Sequence, residues 1–265
     1  MDLGISGKTA LVVGGSKGMG REVSLQLAAE GVGVAVVARD KAAIDRTVET
    51  IRERGGTAHG VTADVTDEFA VKAAVEEVTR ELSTPLIVVG QTKFNVPGDF
   101  ADITDTEQYV ASFRSYTMSQ VYLLHAVLPA MKEAGWGRFV HIGSATAKEP
   151  EGAIHHAIAN ATRPSTVGLL KTVSDEYAQF GITVNTVAPG WIETDNAMAY
   201  MNAQVGLADE AARREWVGTV ARVPARRLGT PAEIASYVVY LCSEQAAYVN
   251  GTWVEVDGGH HRSAM

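Results

Sequence analysis

Cysteine is nearly missing from this chain. Cys242 is the only one in 265 residues, which rules out an intrachain disulfide and any metal site built on cysteines. Long apolar runs are missing too: none approaches the ~20 residues that span a bilayer as a helix. The N-terminus carries Asp2 and no charged-then-apolar leader pattern. Positive charge is scarce, with 23 Lys and Arg against 31 Asp and Glu, and no basic cluster offsets the formal net charge of −8. That balance argues against a nucleic-acid surface. Internal repeats, low-complexity tracts and linkers are also lacking. These absences describe a cytoplasmic protein that binds no metal, no nucleic acid and no membrane, and that acts on a small molecule.

Glycine is what the chain has, and it is placed with order. Thr9-Ala10-Leu11-Val12-Val13 is a short apolar run, followed by Gly14-Gly15-Ser16-Lys17-Gly18-Met19-Gly20 and a helical pattern with Met19, Val23 and Leu27 on one face. Strand, glycine-rich turn and helix form the context of a dinucleotide site. Gly14 permits a tight turn, Gly18 a close approach of backbone N–H groups to a pyrophosphate, and Gly20 close packing of helix on strand. Arg39 closes the next strand roughly twenty residues on, where the ribose partner of such a site belongs.

Strand and helix then alternate. Val34 to Ala38 is an apolar run suited to a strand covered on both faces. Asp40 caps a helix with Ile44, Val48 and Ile51 inward, and His59 to Val65 reads as a third strand. Asp67 starts a helix bearing Val71, Val75, Val78 and Leu82, and Leu86 to Val89 is a fourth strand. A long helix is expected from about Thr106 to Ala134, a fifth strand over Arg138–Gly143 and a sixth over Thr183–Ala188. Thr230-Pro231 opens a helix, Pro231 fitting its first turn, and Thr252 to Val256 is a last strand. The pattern predicts an α/β fold, a single-domain doubly wound parallel sheet of the Rossmann type over residues 1–265. The Ala- and Met-rich segment 193–226 is expected to be a mobile helical lid over the substrate rather than core.

The chain resembles a short-chain dehydrogenase/reductase from end to end. The resemblance rests on Val13 to Gly20, Ala63-Asp64-Val65-Thr66-Asp67, Ser144, Val184 to Thr194, Arg227-Leu228-Gly229-Thr230-Pro231 and Val256-Asp257-Gly258-Gly259. It implies that Gly14, Ser16, Lys17, Gly18 and Met19 line the cofactor's phosphates and adenosine ribose. Asp64 would accept from the adenine amino group and Val65 would pack on the ring. Gly90 would lie along the cofactor, and Pro189, Gly190, Ile192 and Thr194 would hold the nicotinamide amide. Lys17 and Arg39, with Ala38 where an NAD-preferring acid would stand, point to NADP(H). A homotetramer is also implied, with the long helix from Thr106 and the helix after Val167 at one interface and the last strand with Trp253 at another.

Against that resemblance, the family's Tyr-x-x-x-Lys pair falls on Ala159 and Arg163, and no tyrosine lies between Tyr122 and Tyr177. Arginine stays charged but cannot relay a proton, so Arg163 replaces lysine only electrostatically. Pro164 is expected to start or kink the helix there. Val89-Gly90-Gln91-Thr92 stands where the family has Asn-Asn-Ala-Gly, and Tyr116 falls on the expected helical asparagine. The catalytic candidates are therefore Ser144 to orient the substrate oxygen, Arg163 for charge near the nicotinamide ribose, and Tyr116 or His156 as proton donor. Tyr116 reads equally as a packing aromatic, and His155 and His156 as exposed loop residues.

Three functions fit. The first is an NADP(H)-dependent reductase, of the kind that acts on 3-oxoacyl groups, reducing a carbonyl or an activated C=C bond. The second is a lyase, cyclase or isomerase on the same fold, and the third a non-catalytic nucleotide-binding protein. The complete Pro189 to Thr194 segment favours the first.

Overall fold

The computed structural model describes residues 2–92, 96–150, 155–206 and 209–262. Its strands are β1 (Thr9–Val13), β2 (Gly33–Ala38), β3 (Ala58–Thr62), β4 (Ile87–Gly90), β5 (Gly137–Ile142), β6 (Ile182–Pro189) and β7 (Trp253–Val256). All pair in parallel, in the order β3-β2-β1-β4-β5-β6-β7. The order reverses between β1 and β4, so a crevice opens there above the carboxyl ends of the strands. Open α/β sheets bind ligands at this place.

The helices are α1 (Gly18–Ala29), α2 (Lys41–Glu53), α3 (Glu68–Glu81), α4 (Glu107–Phe113), α5 (Ser119–Ala134), α6 (Ala157–Tyr177), α7 (Asp195–Tyr200), α8 (Glu210–Thr219) and α9 (Pro231–Leu241). Period-two alternation along each strand sends neighbours to opposite layers. Val12, Val34, Val36 and Val89 pack with Val23 and Leu27 of α1, Ile44 of α2, and Ile234 and Val238 of α9. Leu11, Ala35, Val88 and Phe139 pack instead with Val71 and Val78 of α3, Leu123 and Val127 of α5, and Leu170 of α6. Both faces of the sheet are covered, which is why β2 reads as an unbroken apolar run.

Caps set where helices begin. Asp40 accepts from Ala43 N at the head of α2, and Asp67 from Phe69 N and Ala70 N at the head of α3. Thr230 and Glu233 form a reciprocal capping box at α9, with Pro231 in its first turn. No side chain caps α1, whose N-cap is Lys17. Its first-turn N–H groups thus meet the crevice without an internal partner from a cap.

Several expectations need correction. The third strand stops at Thr62, so Asp64 and Val65 sit in the following turn rather than in the strand. The long helix exists, but α4 and α5 are joined by a widened π turn at Arg114–Met118, which includes Tyr116. Pro164 neither starts α6 nor ends it: the helix begins at Ala157, and the proline lies inside it. Pro164 is exposed, so water can take the carbonyl that its missing N–H leaves unbonded. Side chains brace the same turn, Thr162 Oγ1 donating to Ile158 O (2.9 Å) and Ser165 Oγ to Thr162 O (2.6 Å).

The 193–226 segment carries a small core of its own, which scattered charges and small residues had hidden. Met201, Val217, Ala221 and Val223 are buried with Trp216, and Trp216 meets Trp191 edge to face at 5.0 Å. Positions 207–208 of the expected lid lie outside the described residues. Trp253 lines the crevice. No helix among the described residues is long and apolar enough to cross a membrane.

Candidate active site

A cleft of about 680 Å³ runs along the carboxyl ends of the strands. One end is the glycine loop. Gly14 adopts φ +71° and Gly18 φ +53°, conformations that side chains avoid. A Cβ on Gly20 would stand 2.3 Å from the Gly14 carbonyl oxygen, so α1 approaches the loop as closely as backbone allows. Thr194 caps α7 by accepting from Ala197 N (3.2 Å), and its methyl lies against Gly18. The segment from Thr194 thus starts beside the glycine loop.

The glycine-loop side of the cleft is lined by Ser16, Lys17, Met19, Arg39, Asp64 and Val65. Lys17 Nζ meets Asp40 Oδ2 at 2.6 Å, and Arg39 Nη1 stands 3.8 Å from Asp64 Oδ2. The Lys17 hydrogen bond, followed by that from Ala43 N, holds the Asp40 carboxyl below the usual range. Asp64 is bound into its own turn, Oδ1 accepting from Thr66 N (3.0 Å) and Thr66 Oγ1 (2.8 Å). Its Oδ2 faces the cleft side with Arg39.

Farther along the cleft lie Tyr116, Ser144, Arg163, Pro189 and Gly190. A chain of hydrogen bonds links the catalytic candidates. Ser144 Oγ is 3.1 Å from Thr146 Oγ1, Arg163 Nη1 donates to Thr146 Oγ1 (2.5 Å), and Nη2 donates to the Tyr116 hydroxyl (3.2 Å). The guanidinium also lies over the Tyr116 ring, 5.2 Å from its centroid. Tyr116 is held by its helix: Thr166 Oγ1 donates to its carbonyl (3.1 Å), and Thr117 Oγ1 pairs with Ser165 (2.6 Å) and Thr166 (3.0 Å). These bonds join the π turn to α6, so Tyr116 and Arg163 are positioned together. A π turn is often found where a helix must aim a functional side chain.

Three predicted residues fall elsewhere. Gly90 does not line the cleft; a Cβ there would stand 2.3 Å from Gln120 Oε1, so the glycine accommodates a buried amide of α5. Ile192 is buried in the core and bridges to Gly229. His156 lines a second, adjoining cavity. Burial first, and then the charge of Arg163, push the His156 pKa down to about 4. At neutral pH the ring is therefore uncharged and is a poor proton donor, contrary to the sequence expectation. His155 lies outside the helix and pairs with Asp99.

The residues that sequence reasoning missed are Thr146, His141, Asn196 and Tyr200. Thr146 stood in a stretch without period, and only its distance of two residues from Ser144 hinted at it. His141 is fully buried on β5, borders the cleft, and its Nδ1 has no hydrogen-bond partner. Burial pushes its pKa down to about 4. The folded protein then refuses a proton that the unfolded chain accepts between pH 6.5 and 4. Stability is fully present above about pH 6.5 and falls by about 3 kcal/mol towards pH 4 from this group. His141→Asn should remove this group's share of the acid-side loss in urea melts at pH 7.5 and 5, leaving the share of His156, whose pKa burial lowers likewise; an unchanged loss would show that His141 is not held neutral.

A parallel sheet with this order, a glycine-rich β1–α1 turn and a polar cluster after β5 define a dinucleotide-fold oxidoreductase class. The family described as enoyl-(acyl carrier protein) reductase matches residues 13–261, and the chain belongs to the short-chain dehydrogenase/reductases. It is 33% identical over 263 residues to the 3-oxoacyl-[acyl-carrier-protein] reductase of Pseudomonas aeruginosa, covering 98% of this chain and 100% of that one. Among solved structures, it is similar to L-sorbose reductase from Gluconobacter frateurii in complex with NADPH and L-sorbose. That match has a TM-score of 0.91 and 28% identity, and covers 99% and 100% of the two chains. Another is an NADPH-bound short-chain oxidoreductase from Pseudomonas aeruginosa PAO1 containing an atypical catalytic center. There the TM-score is 0.89 with 27% identity, over 97% and 98% of the chains.

Proposed function

We propose that this protein is an NADP(H)-dependent oxidoreductase that reduces a carbonyl or an activated C=C bond with a proton donor other than the family's tyrosine. The observation that carries the reading is the chain Ser144–Thr146–Arg163–Tyr116, set at the end of the same cleft that begins at the glycine loop. The cofactor supplies hydride when bound. The groove fits it: the N–H groups of α1 have no side-chain cap, and Gly20 lets the head of α1 sit directly against the Gly14 turn. Pro189, Gly190 and Thr194 line the same cleft and would hold the nicotinamide amide.

The protein's own groups do the rest. Ser144 Oγ donates to the substrate oxygen and orients it. Arg163 places a permanent positive charge beside the oxygen as negative charge grows there. Tyr116, whose hydroxyl is held by Arg163, donates the proton. His156 stays neutral and takes no part as an acid. The lid 193–226 closes over the substrate, and the exposed Val110 and Phe113 of α4, with Phe100 in the turn before it, supply apolar surface for the homotetramer.

NADP(H) preference rests on Arg39, which is exposed and can turn towards a 2′-phosphate, and on Lys17, which neutralises Asp40. The test is NADPH and NADH fluorescence titration, followed by NADPH consumption with a panel of ketones and enones. NADPH should bind more tightly than NADH, and Arg39→Ala should weaken NADPH by about 10-fold while sparing NADH. Equal affinity for the two cofactors defeats the NADP(H) assignment. NADPH bound without any ketone or enone reduced hands the function to the lyase or non-catalytic readings.

A further inference from the structure

The cavity adjoining the cleft has no acidic side chain in its described wall. Ser144, Thr146, His156, Arg163, Asn196 and Tyr200 bring hydrogen-bonding groups to it. We propose that it binds a short oxo acid, with the carboxylate on Arg163 and the oxo oxygen on Ser144; the assignment rests on the reductase reading above.

Arg163 is the argument. A guanidinium has five N–H donors and a charge it cannot lose. Arg163 is half-buried, faces both the cleft and the cavity, and donates to two neutral hydroxyls, those of Thr146 and Tyr116. No carboxylate among the described residues lies within ion-pair distance of it. The most deeply buried arginine, Arg138, has the Glu244 carboxylate at 3.4 Å. A partly desolvated cation without a counter-ion is costly, and an anionic ligand removes that cost. His156 adds a second group, since its Nε2 has no hydrogen-bond partner and its ring is uncharged. An N–H of that ring can be given to an anion.

Size and spacing narrow the ligand. The cavity measures about 220 Å³, below the range of pockets that take drug-sized ligands. Thr146 bridges Ser144 and Arg163, so Ser144 Oγ and Arg163 Nη1 are no further apart than the 3.1 Å and 2.5 Å contacts laid end to end. One small molecule can reach both if its oxo group and carboxylate are separated by one carbon or none. That describes 2-oxo and 3-oxo acids. A neutral acyl thioester would leave the guanidinium without its counter-ion.

The test is calorimetric and needs no turnover. Oxamate and its uncharged analogue oxamide are titrated into the NADPH-saturated protein. Oxamate should bind about 30-fold more tightly, the worth of a charge-assisted hydrogen bond. Arg163→Lys, which keeps the charge, should retain most of that preference, and Arg163→Gln should bring the two ligands level. Oxamide binding as well as oxamate overturns the proposal, as does a preference that survives Arg163→Gln. If the glutamine variant does not fold, the wild-type preference must shrink as salt rises; a salt-independent preference overturns it. Failure of NADPH to bind removes the reductase reading, whereas NADPH binding without discrimination removes only the oxo-acid assignment.

Discussion

Tyr116→Phe is expected to lower kcat/KM for NADPH-dependent reduction by about 10²- to 10⁴-fold, the usual worth of a positioned general acid. The substitution removes one hydroxyl and keeps the ring. The guanidinium of Arg163 still has an aromatic face 5.2 Å from its carbon, and only its own bond to the phenol is lost, since the other bonds between the π turn and α6 run through Thr117, Ser165 and Thr166. Folding and NADPH affinity should therefore remain close to those of the parent. His156→Gln is the matched comparison. Its pKa of about 4 leaves nothing to donate near neutrality, so kcat should fall by no more than about threefold. A Tyr116→Phe protein that keeps half its activity would remove Tyr116 from the donor role. A His156→Gln protein as damaged as the tyrosine variant would restore the histidine to it.

Gly20→Ala is expected to cost at least about 100-fold in NADPH affinity and about 2–3 kcal/mol in stability. The added methyl would stand 2.3 Å from Gly14 O and 2.8 Å from Gly14 C. Both are backbone atoms, so no side chain can swing aside. The loop must move away from α1, which opens the turn that would cradle the pyrophosphate. Gly33→Ala is the control: its methyl would meet Thr9 Oγ1 at 3.6 Å, an ordinary contact, at a position without positive φ. That variant should melt and bind as the parent does. Thermal melts with and without NADPH separate the effects, because a ligand that binds the folded state raises the midpoint according to its affinity. A Gly20→Ala protein with the parent's midpoint and the parent's NADPH shift would show that the loop tolerates the displacement.

Much of the fold was legible in the chain because its signals are local. Apolar runs such as Val34–Val37, caps such as Asp40, Asp67 and Thr230, and the β1–glycine–α1 succession each depend on residues within a few positions of one another. Their alternation already dictates parallel strands with helices on both faces. The positions of Tyr116, Ser144 and Arg163 at one end of a cleft that starts at Gly14 could also be anticipated from the resemblance, although their roles rest on the proposed chemistry.

Tertiary structure decided what depends on distant partners. Thr146 joins Ser144 to Arg163 because an irregular segment after β5 folds against α6, and nothing in its own neighbours signals that. Pro164 lies inside a helix whose turn is braced by Thr162 Oγ1 on Ile158 O and Ser165 Oγ on Thr162 O, which the local rule against proline does not take into account. His156 is neutral because burial and a guanidinium seven residues on act together, and Trp253 lines the cleft because β7 pairs with β6 beside it. Sequence by itself determined periodicity, caps and turns, whose energies come from neighbouring residues. Burial, charge state and the choice of partner belong to the folded molecule, because they come from groups brought together across the chain.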